Sequence, residues 1–108
     1  MIGPDPLPQL DPVVQHPSKL AVAAFLSSCT EAEFKAVRAG LDLSDSALSK
    51  IVTALEDAGY VSVRKGYVGK RPRTWLTLTG TGRTNLARHL SALQQIADQA
   101  RARGAGLG

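Results

Sequence analysis

The stretch from Ser44 to Gly59, SDSALSKIVTALEDAG, constrains the fold of this chain most strongly. Its apolar residues recur at the spacing of a helix with one buried stripe. These residues are Leu48, Ile51, Val52 and Leu55. Ser44 is placed to cap the first turn, and Gly59 to end the helix in a left-handed conformation. The sequence therefore predicts an amphipathic helix over residues 44–58.

The opposite face of this predicted helix presents short hydroxyl side chains around one lysine, whereas an ordinary solvated face mixes Glu and Lys evenly. Its acidic pair, Glu56 and Asp57, is confined to the last turn. Small donors and a single cation favour close approach to a nucleic-acid groove. We therefore predict contacts to base edges or flanking phosphates from this helix. The residues concerned are Ser44, Ser46, Ser49, Lys50 and Thr53.

The positive charge of the chain is concentrated in one segment. The 108 residues carry a formal net charge of +4 at pH 7. Residues 64–73 hold five basic side chains and no acidic one, whereas the rest of the chain holds eight basic and nine acidic ones. This concentration predicts a polyanionic partner. The residues of the segment predicted to contact DNA are Arg64, Lys65, Tyr67, Lys70, Arg71 and Arg73.

The first residues of the chain are rich in proline, since residues 1–17 hold five of its six prolines. Because proline interrupts helices, we predict an extended Pro-rich arm over residues 1–15. The folded domain is then expected over residues 16–103. Leu10, Val13 and Val14 are candidates to pack near the end of the arm.

A first helix is predicted from Ser18 to Ser28, with Pro17 at or near its first turn. The run from Leu20 to Leu26 is apolar without interruption. A helix that is apolar all round must be covered all round. We therefore expect a second chain or the C-terminal helix to lie over it.

A second helix is predicted to begin at Thr30, because Thr30 and Glu33 fit a capping box. Gly40 is expected to end this helix, and a short turn then leads to the helix over residues 44–58. Two short helices joined by a Gly-containing turn, the second polar on its outer face, indicate a helix-turn-helix.

Two segments after Gly59 alternate as β-strands do, residues 60–65 and residues 73–79. The residues between them, 66–72, include two glycines and a proline and are too many for a tight turn. A β-hairpin with a long basic tip is therefore predicted, with Trp75 packing against the wing or against the first helices. The fold class that follows is mainly α with a small β-hairpin (α+β), a winged helix-turn-helix.

A last helix is predicted over residues 80–103, capped by Thr79, with a disordered tail over residues 104–108. Its apolar residues follow spacings of four and three, which is a heptad seam. Because such a helix is longer than the body that it joins, we predict that it pairs with a second chain. The residues predicted for this dimer are Leu20, Leu86, Leu90, Leu93, Ala97 and Ala100.

Several pieces of the sequence, taken together, resemble the small winged-helix transcriptional regulators related to the MarR and ArsR groups. The matching pieces are the helix end LEDAGYV, the strand VRK, the wing residues K-R-P-R-T and the motif L-T-x-x-G-R that opens the last helix. The resemblance covers roughly residues 10–95. It implies a homodimer that binds double-stranded DNA, with the helix over residues 44–58 in the major groove and the wing on backbone or minor groove.

Other functions find little support in the sequence. Cys29 is the only cysteine, so the paired-cysteine metal site of ArsR-type sensors is missing and no cofactor is expected. His16 and His89 are far apart, and no nucleophile or phosphate-loop motif occurs. We expect His16 to be a turn residue beside Pro17 and His89 to lie on a helix surface. The protein is therefore not expected to be an enzyme.

The sequence also bears on location and on partners other than DNA. No apolar run is long enough to cross a bilayer and no signal segment starts the chain, so a cytoplasmic protein is expected. Nothing in the sequence supports a small-molecule effector, and such a ligand is left open. The alternative function is a protein-interaction module whose basic wing grips an acidic partner.

Overall fold

The computed structural model describes residues 7–107, which form four helices and three short strands. In chain order the elements are α1 (Pro17–Ser27), β1 (Ala32–Glu33), α2 (Phe34–Gly40), α3 (Asp45–Asp57), β2 (Val61–Val68), β3 (Arg71–Leu78) and α4 (Gly80–Ala105). The three strands form one antiparallel sheet in the order β1-β3-β2. This architecture is a winged helix, as predicted, with α2 and α3 as the helix-turn-helix and the β2–β3 hairpin as the wing.

The helix α3 begins and ends where the sequence indicates. The Ser44 Oγ accepts a hydrogen bond from the Ala47 N–H at 3.1 Å, which caps the first turn. At the other end Gly59 has a φ of +81°. The Gly59 N–H donates to the Glu56 carbonyl and the Tyr60 N–H to the Leu55 carbonyl, both at 2.9 Å, which is a Schellman motif. Both predicted termini of this helix are confirmed.

The turn between α2 and α3 uses the same motif with a different residue. Asp42 takes the left-handed conformation, with a φ of +54°. Its N–H donates to the Ala39 carbonyl, and the Leu43 N–H donates to the Arg38 carbonyl. Aspartate tolerates this conformation better than most residues because its short side chain bonds locally. The helix therefore ends at Gly40, as predicted, although Asp42 rather than a glycine makes the left-handed turn.

The predicted start of the second helix is wrong. Ala32 and Glu33 form β1, pairing with Leu76 and Trp75 of β3, and α2 starts only at Phe34. The Glu33 side chain makes no cap and is instead 3.0 Å from Arg73 Nη1. The capping box with Thr30 is therefore absent, because strand pairing and the arginine satisfy the groups that the cap would have used.

The predicted long tip of the wing is also wrong. Pairing between β2 and β3 continues as far as Val68 and Arg71, which leaves Gly69 and Lys70 as a two-residue turn. Gly69 has a φ of +64°, as the first central residue of a type II′ turn requires. Pro72 is accepted in β3 because this part of the strand extends past β1 and has a neighbour on one side only.

The core lies where α1, α3 and the sheet meet over the first turns of α4. The largest fully buried side chains are Val14, Val22, Leu26, Val37, Leu48, Leu55, Leu76 and Leu78. At about 25 cal/mol per Å² of apolar surface, burial of these side chains is the main favourable contribution to folding. The uninterrupted apolar run of α1 is covered on two sides by this core, and Ala24 on its outer side stays exposed.

The segment before α1 is anchored to the domain, and its last residues form a turn around Asp11. The Asp11 carboxylate accepts hydrogen bonds from the backbone N–H groups of Val13 and Val14 at 2.8 and 3.2 Å. Val14 is fully buried. Residues 7–15 of the predicted arm therefore end in a turn packed on the body, and its residues 1–6 lie outside the described part of the chain.

The predicted surface position of His89 is wrong, because this side chain is only 2% exposed. Its Nδ1 accepts a hydrogen bond from the Asp11 N–H at 3.0 Å, so the neutral ring carries its proton on Nε2. The segment before α1 covers this face of α4, which a helical pattern alone does not reveal. His16, by contrast, lies in a bend beside Pro17, as predicted, and its side chain also caps the start of α1.

The last helix begins as predicted and ends later. The Thr79 Oγ1 accepts from the Gly82 N–H at 3.0 Å and donates to the Gly59 carbonyl at 2.6 Å. The helix continues to Ala105, so the first two residues of the predicted tail over 104–108 are helical. Backbone bonding simply continues, with the Gly106 N–H donating to the Ala102 carbonyl at 3.3 Å.

The helix α4 gives the molecule its elongated shape, with extents of 67 × 24 × 21 Å. Of the helices within residues 7–107, none is both long and apolar enough to cross a bilayer.

Candidate nucleic-acid interface

The outer face of α3 is open to solvent. All five residues predicted to contact DNA from this helix are exposed: Ser44, Ser46, Ser49, Lys50 and Thr53. Beneath them Leu48, Val52 and Leu55 are buried, so the helix presents one polar and one apolar face as its pattern predicts. The body of the subunit leaves the hydroxyl-rich face uncovered.

Two of these hydroxyls have structural roles as well. Ser44 Oγ caps α3, and Ser46 Oγ lies 3.4 Å from it. The Thr53 hydroxyl donates to the Ser49 carbonyl at 2.9 Å, one turn back along the helix. A hydroxyl oxygen has two lone pairs besides its proton, so Thr53 keeps its acceptor capacity toward the outside.

The wing carries five exposed residues that the sequence assigns to DNA contact. They are Arg64, Lys65, Tyr67, Lys70 and Arg71. Tyr67 is 74% exposed, and Val68 beside it is 56% exposed. Within residues 7–107, the two lysines and Arg71 take part in no salt bridge. Their charges are therefore available to a polyanion.

The other two arginines of the wing are held by carboxylates of the segment around β1. Arg64 Nη2 lies 2.9 Å from Glu31 Oε1, and its Nε is 3.4 Å from Oε2, so the pair is bidentate. The same guanidinium stacks over Trp75 at 4.1 Å from the ring centroid. Arg73 Nη1 lies 3.0 Å from Glu33 Oε1. These contacts fix the base of the wing.

The sequence pattern does not predict these two ion pairs, because Glu31 and Glu33 fit the start of a helix. The signal that could have found them is the alternation of residues 31–33, which is too short to read as a strand on its own. Trp75, predicted to pack against the wing, does so through Arg64 and Gly66.

The helix α3 and the wing border one cleft of about 450 Å³. The helix contributes Asp45, Ser49, Val52, Thr53 and Glu56, the wing contributes Val63, Lys65 and Thr74, and Phe34 of α2 completes the lining. Asp45 is paired with Arg38 at 2.8 Å, which ties α2 to the start of α3. The predicted helix face and the base of the predicted wing therefore lie side by side.

The seam predicted for dimerisation divides into two parts. Leu86 is 4% exposed and lies in the subunit's own core, and Leu20 packs against that core. Leu86 is therefore used within the chain and is not free to join a dimer, whereas Leu20 is half-buried and its place in a dimer stays a prediction. Further along α4, Leu90 is 46% and Leu93 39% exposed, Ala97 is half-buried and Ala100 is exposed.

Within the described residues, no group of three or more His, Cys, Asp or Glu side chains could hold a metal ion. Cys29 is half-buried at the end of α1, with its Sγ 3.7 Å from the Leu26 carbonyl.

Comparison with known proteins agrees with this geometry. A family model described as a winged helix DNA-binding domain matches residues 19–97. No curated protein sequence matches the chain. A transcriptional regulator homologue from Pyrococcus horikoshii OT3 is 30% identical in sequence, with a TM-score of 0.76, over 82% of this chain and 87% of that one.

Two further solved structures share the fold at lower identity. The PcaV transcriptional regulator from Streptomyces coelicolor is 21% identical with a TM-score of 0.62, over 87% of this chain and 64% of that one. Reduced AbfR bound to DNA is 24% identical with a TM-score of 0.65, over 72% of this chain and 54% of that one. This chain thus aligns with about half to two thirds of each of these regulators.

The matched family, the helix-turn-helix with its wing and the exposed polar face of α3 all agree with the resemblance seen in the sequence. The Pyrococcus horikoshii protein, the one of these three with 30% identity, is a transcriptional regulator homologue. This protein therefore belongs to the winged helix DNA-binding domain family.

Proposed function

We propose that this protein is a sequence-specific, DNA-binding transcriptional regulator that acts as a homodimer. In this proposal α3 enters the major groove and the wing contacts backbone or minor groove. The cleft shared by Ser49 and Thr53 of α3 and Lys65 of the wing carries the proposal. When α3 lies in a major groove, its exposed side chains meet base edges while the cations of the neighbouring wing meet phosphates.

The residues of α3 have distinct expected roles. Lys50, Ser46 and Ser49 are assigned to base edges or flanking phosphates, because they are exposed on the outer face. Thr53 is expected to act as an acceptor, since its proton is bonded to the Ser49 carbonyl. Ser44 is expected to act through its backbone and cap.

The residues of the wing divide by whether a carboxylate holds them. Lys65, Lys70 and Arg71 are assigned to phosphates, and Tyr67 to a sugar. Arg64 and Arg73 are expected to reach DNA less directly, because their guanidinium groups bind Glu31 and Glu33. Their first role is to hold the wing at its angle to α3.

The homodimer is supported by the exposed half of the seam. Leu90 and Leu93 are large apolar side chains in solvent, and a second α4 packed along them would bury both. A two-fold protein would read a two-fold site, with half-sites about one helical turn, ~34–36 Å, apart. No small-molecule effector is part of the proposal.

Selection of bound duplexes from a random-sequence pool by the purified protein tests this function. A two-fold consensus with fixed half-site spacing is the expected result. The rival function, a protein-interaction module that grips an acidic partner, predicts weak association with every duplex and no consensus. Recovery of an unenriched pool would therefore overturn the regulator and favour the module.

The wing is tested by the salt dependence of binding to the selected duplex. Each lost phosphate contact lowers the slope of log K against log salt by about 0.9, so the double variant Lys70→Ala and Arg71→Ala, which loses two contacts in each subunit of the dimer, should lose about 3.6. Arg103→Ala removes one exposed charge at the far end of α4 and serves as the control. An unchanged slope in the double variant contradicts the wing assignment.

A further inference from the structure

A second cleft flanks α3 on the side away from the wing. It has a volume of about 360 Å³ and lies between the start of α1 and α3. Its lining residues are His16, Ser18 and Lys19 from the first and Ala47, Lys50 and Ile51 from the second. None of the wing residues borders it, so it is separate from the cleft shared by α3 and the wing.

The charges of the two clefts differ. The cleft beside α1 is lined by two lysines and a histidine and by no carboxylate. The cleft beside the wing contains Asp45 and Glu56 next to its single lysine. Within the described chain, neither Lys19 nor Lys50 takes part in a salt bridge. Of the two clefts, the one beside α1 is therefore lined by basic residues and by no acidic residue.

The apolar part of the lining is compatible with this charge. Lysine stems cover apolar surface while their ammonium groups remain in water. Ala47 and Ile51 provide that surface here. Lys50 is exposed and Lys19 half-buried, so the two cations lie at different depths on the same cleft.

His16 adds a hydrogen-bond donor that needs no change of charge. Its Nδ1 accepts from the Ser18 N–H at 3.3 Å, so the neutral ring carries its proton on Nε2. This N–H is suited to a phosphate oxygen. The ring is exposed, so the donor is accessible from solvent.

The geometry of a duplex explains why both sides of α3 matter. The major groove is about 12 Å wide, and a helix with its side chains is about 10–12 Å across. A helix in the groove is therefore flanked by the phosphates of both strands. The wing lies on one flank of α3, and the cleft with Lys19 lies on the other.

We infer that the cleft between α1 and α3 is a second phosphate-binding site, which holds the DNA strand opposite the one held by the wing. Lys19 and Lys50 supply charge to one or two adjacent phosphodiesters, and His16 Nε2 donates a hydrogen bond. The inference rests on the proposed function and adds to it a clamp that grips both strands from one subunit.

Lys19→Gln is the decisive variant, measured by the salt dependence of binding to the duplex selected by the wild-type protein. The slope of log K against log salt should fall by about 1.8, from one phosphate contact in each subunit of the dimer, whereas Lys19→Arg, which keeps the charge, should retain the wild-type slope. Lys70→Gln is the reference for the wing and Arg103→Gln the control for net charge. Thermal unfolding of each variant checks that the fold is intact.

Neutral methylphosphonates placed one at a time along each strand locate the site. The wild-type protein should lose affinity at positions on both strands. Within one half-site, Lys19→Gln should become insensitive at one group of positions, on the strand that Lys70→Gln leaves sensitive there; the two-fold axis repeats the pattern on the other strand in the second half-site.

The outcomes separate this inference from the function on which it rests. If Lys70→Gln changes the slope and Lys19→Gln does not, the second site is wrong and the regulator stands. If, within one half-site, both changes fall on the same strand, the clamp is wrong. If the wild-type protein selects no duplex, the proposed function itself fails.

Discussion

The two halves of α4 follow one apolar pattern and have opposite surroundings. In the first half Gly82, Leu86, His89 and Ala92 are buried against the rest of the subunit. From Leu93 to Ala105 no side chain is fully buried. The difference arises because the body of the domain ends while the helix continues. A heptad seam therefore specifies which stripe is apolar, and it does not specify which chain covers it.

The first half of α4 is held so closely that a glycine is required there. A Cβ on Gly82 would overlap the Tyr60 carbonyl oxygen and lie 2.8 Å from Leu78 Cδ1. Gly80, two residues earlier in the same first turn, has no such neighbour within 4 Å. Gly82 and Gly80 therefore provide a matched pair of variants that tests the buried half of α4.

Gly82→Ala should give the largest effect, lowering the free energy of unfolding by about 2–3 kcal/mol because backbone and core must move apart. Gly80→Ala should be neutral or gain up to about 1 kcal/mol from the better helix propensity of alanine. Urea unfolding of the two variants measures the difference. Equal values would mean that the close approach of α4 to Tyr60 is absent in solution.

Substitutions in the second half of α4 should leave the stability of the monomer unchanged and should weaken the dimer. Leu93→Glu places a carboxylate on the seam, and it should raise the dissociation constant of the dimer at least about tenfold, ~1.4 kcal/mol. Gln95→Glu adds the same charge on an exposed position away from the seam. Sedimentation velocity over a range of concentrations compares the two variants. Equal dissociation constants would show that the seam is not part of the interface.

A polar network joins the first half of α4 to the rest of the domain. The Tyr60 hydroxyl donates to Asp11 Oδ2 at 2.6 Å and accepts from Asn85 Nδ2 at 2.9 Å. Burial, and then the hydrogen bond to Asp11, raise the pKa of Tyr60 above its ordinary value of 10.0. The segment before α1, the end of α3 and α4 thus meet at one hydroxyl.

Tyr60→Phe should give the smallest of the three effects, a loss of about 1 kcal/mol at neutral pH from two unpaired polar groups. Because the pKa is raised on folding, the unfolded chain loses this proton first. The wild-type protein should therefore lose stability as the pH rises above about 10, and the variant should not lose this part. Urea unfolding at about pH 8 and about pH 10.5 measures whether the difference in unfolding free energy between the wild-type protein and the variant narrows. A difference that is the same at both pH values would contradict the raised pKa.

The elements with strong periodicity were predicted well from the sequence. The helix over residues 44–58, its Ser44 cap and its Gly59 stop depend on neighbouring residues only, and the structure has all three. The Thr79 cap at the start of α4 is equally local. Local hydrogen bonds and side-chain spacing are written in adjacent residues, which is why they can be read there.

Two of the errors, at Glu33 and at His89, occurred where residues distant in sequence compete for a group. The position of Glu33 suits a helix cap, but its carboxylate binds Arg73 and its backbone pairs with β3. The pattern of α4 suits a surface position for His89, but its ring accepts a hydrogen bond from the Asp11 N–H, 78 residues away, and is covered by that segment. In both places a long-range hydrogen bond or ion pair overrode a local preference.

The sequence by itself determined the amphipathic α3, the placement of charge in residues 64–73 and the apolar stripe of α4, because each depends on spacing along the chain. Tertiary structure decided which wing arginines are held by glutamates, which half of α4 stays open and that Lys19 shares a cleft with Lys50. Those relations join residues that only folding brings together, so no local pattern encodes them.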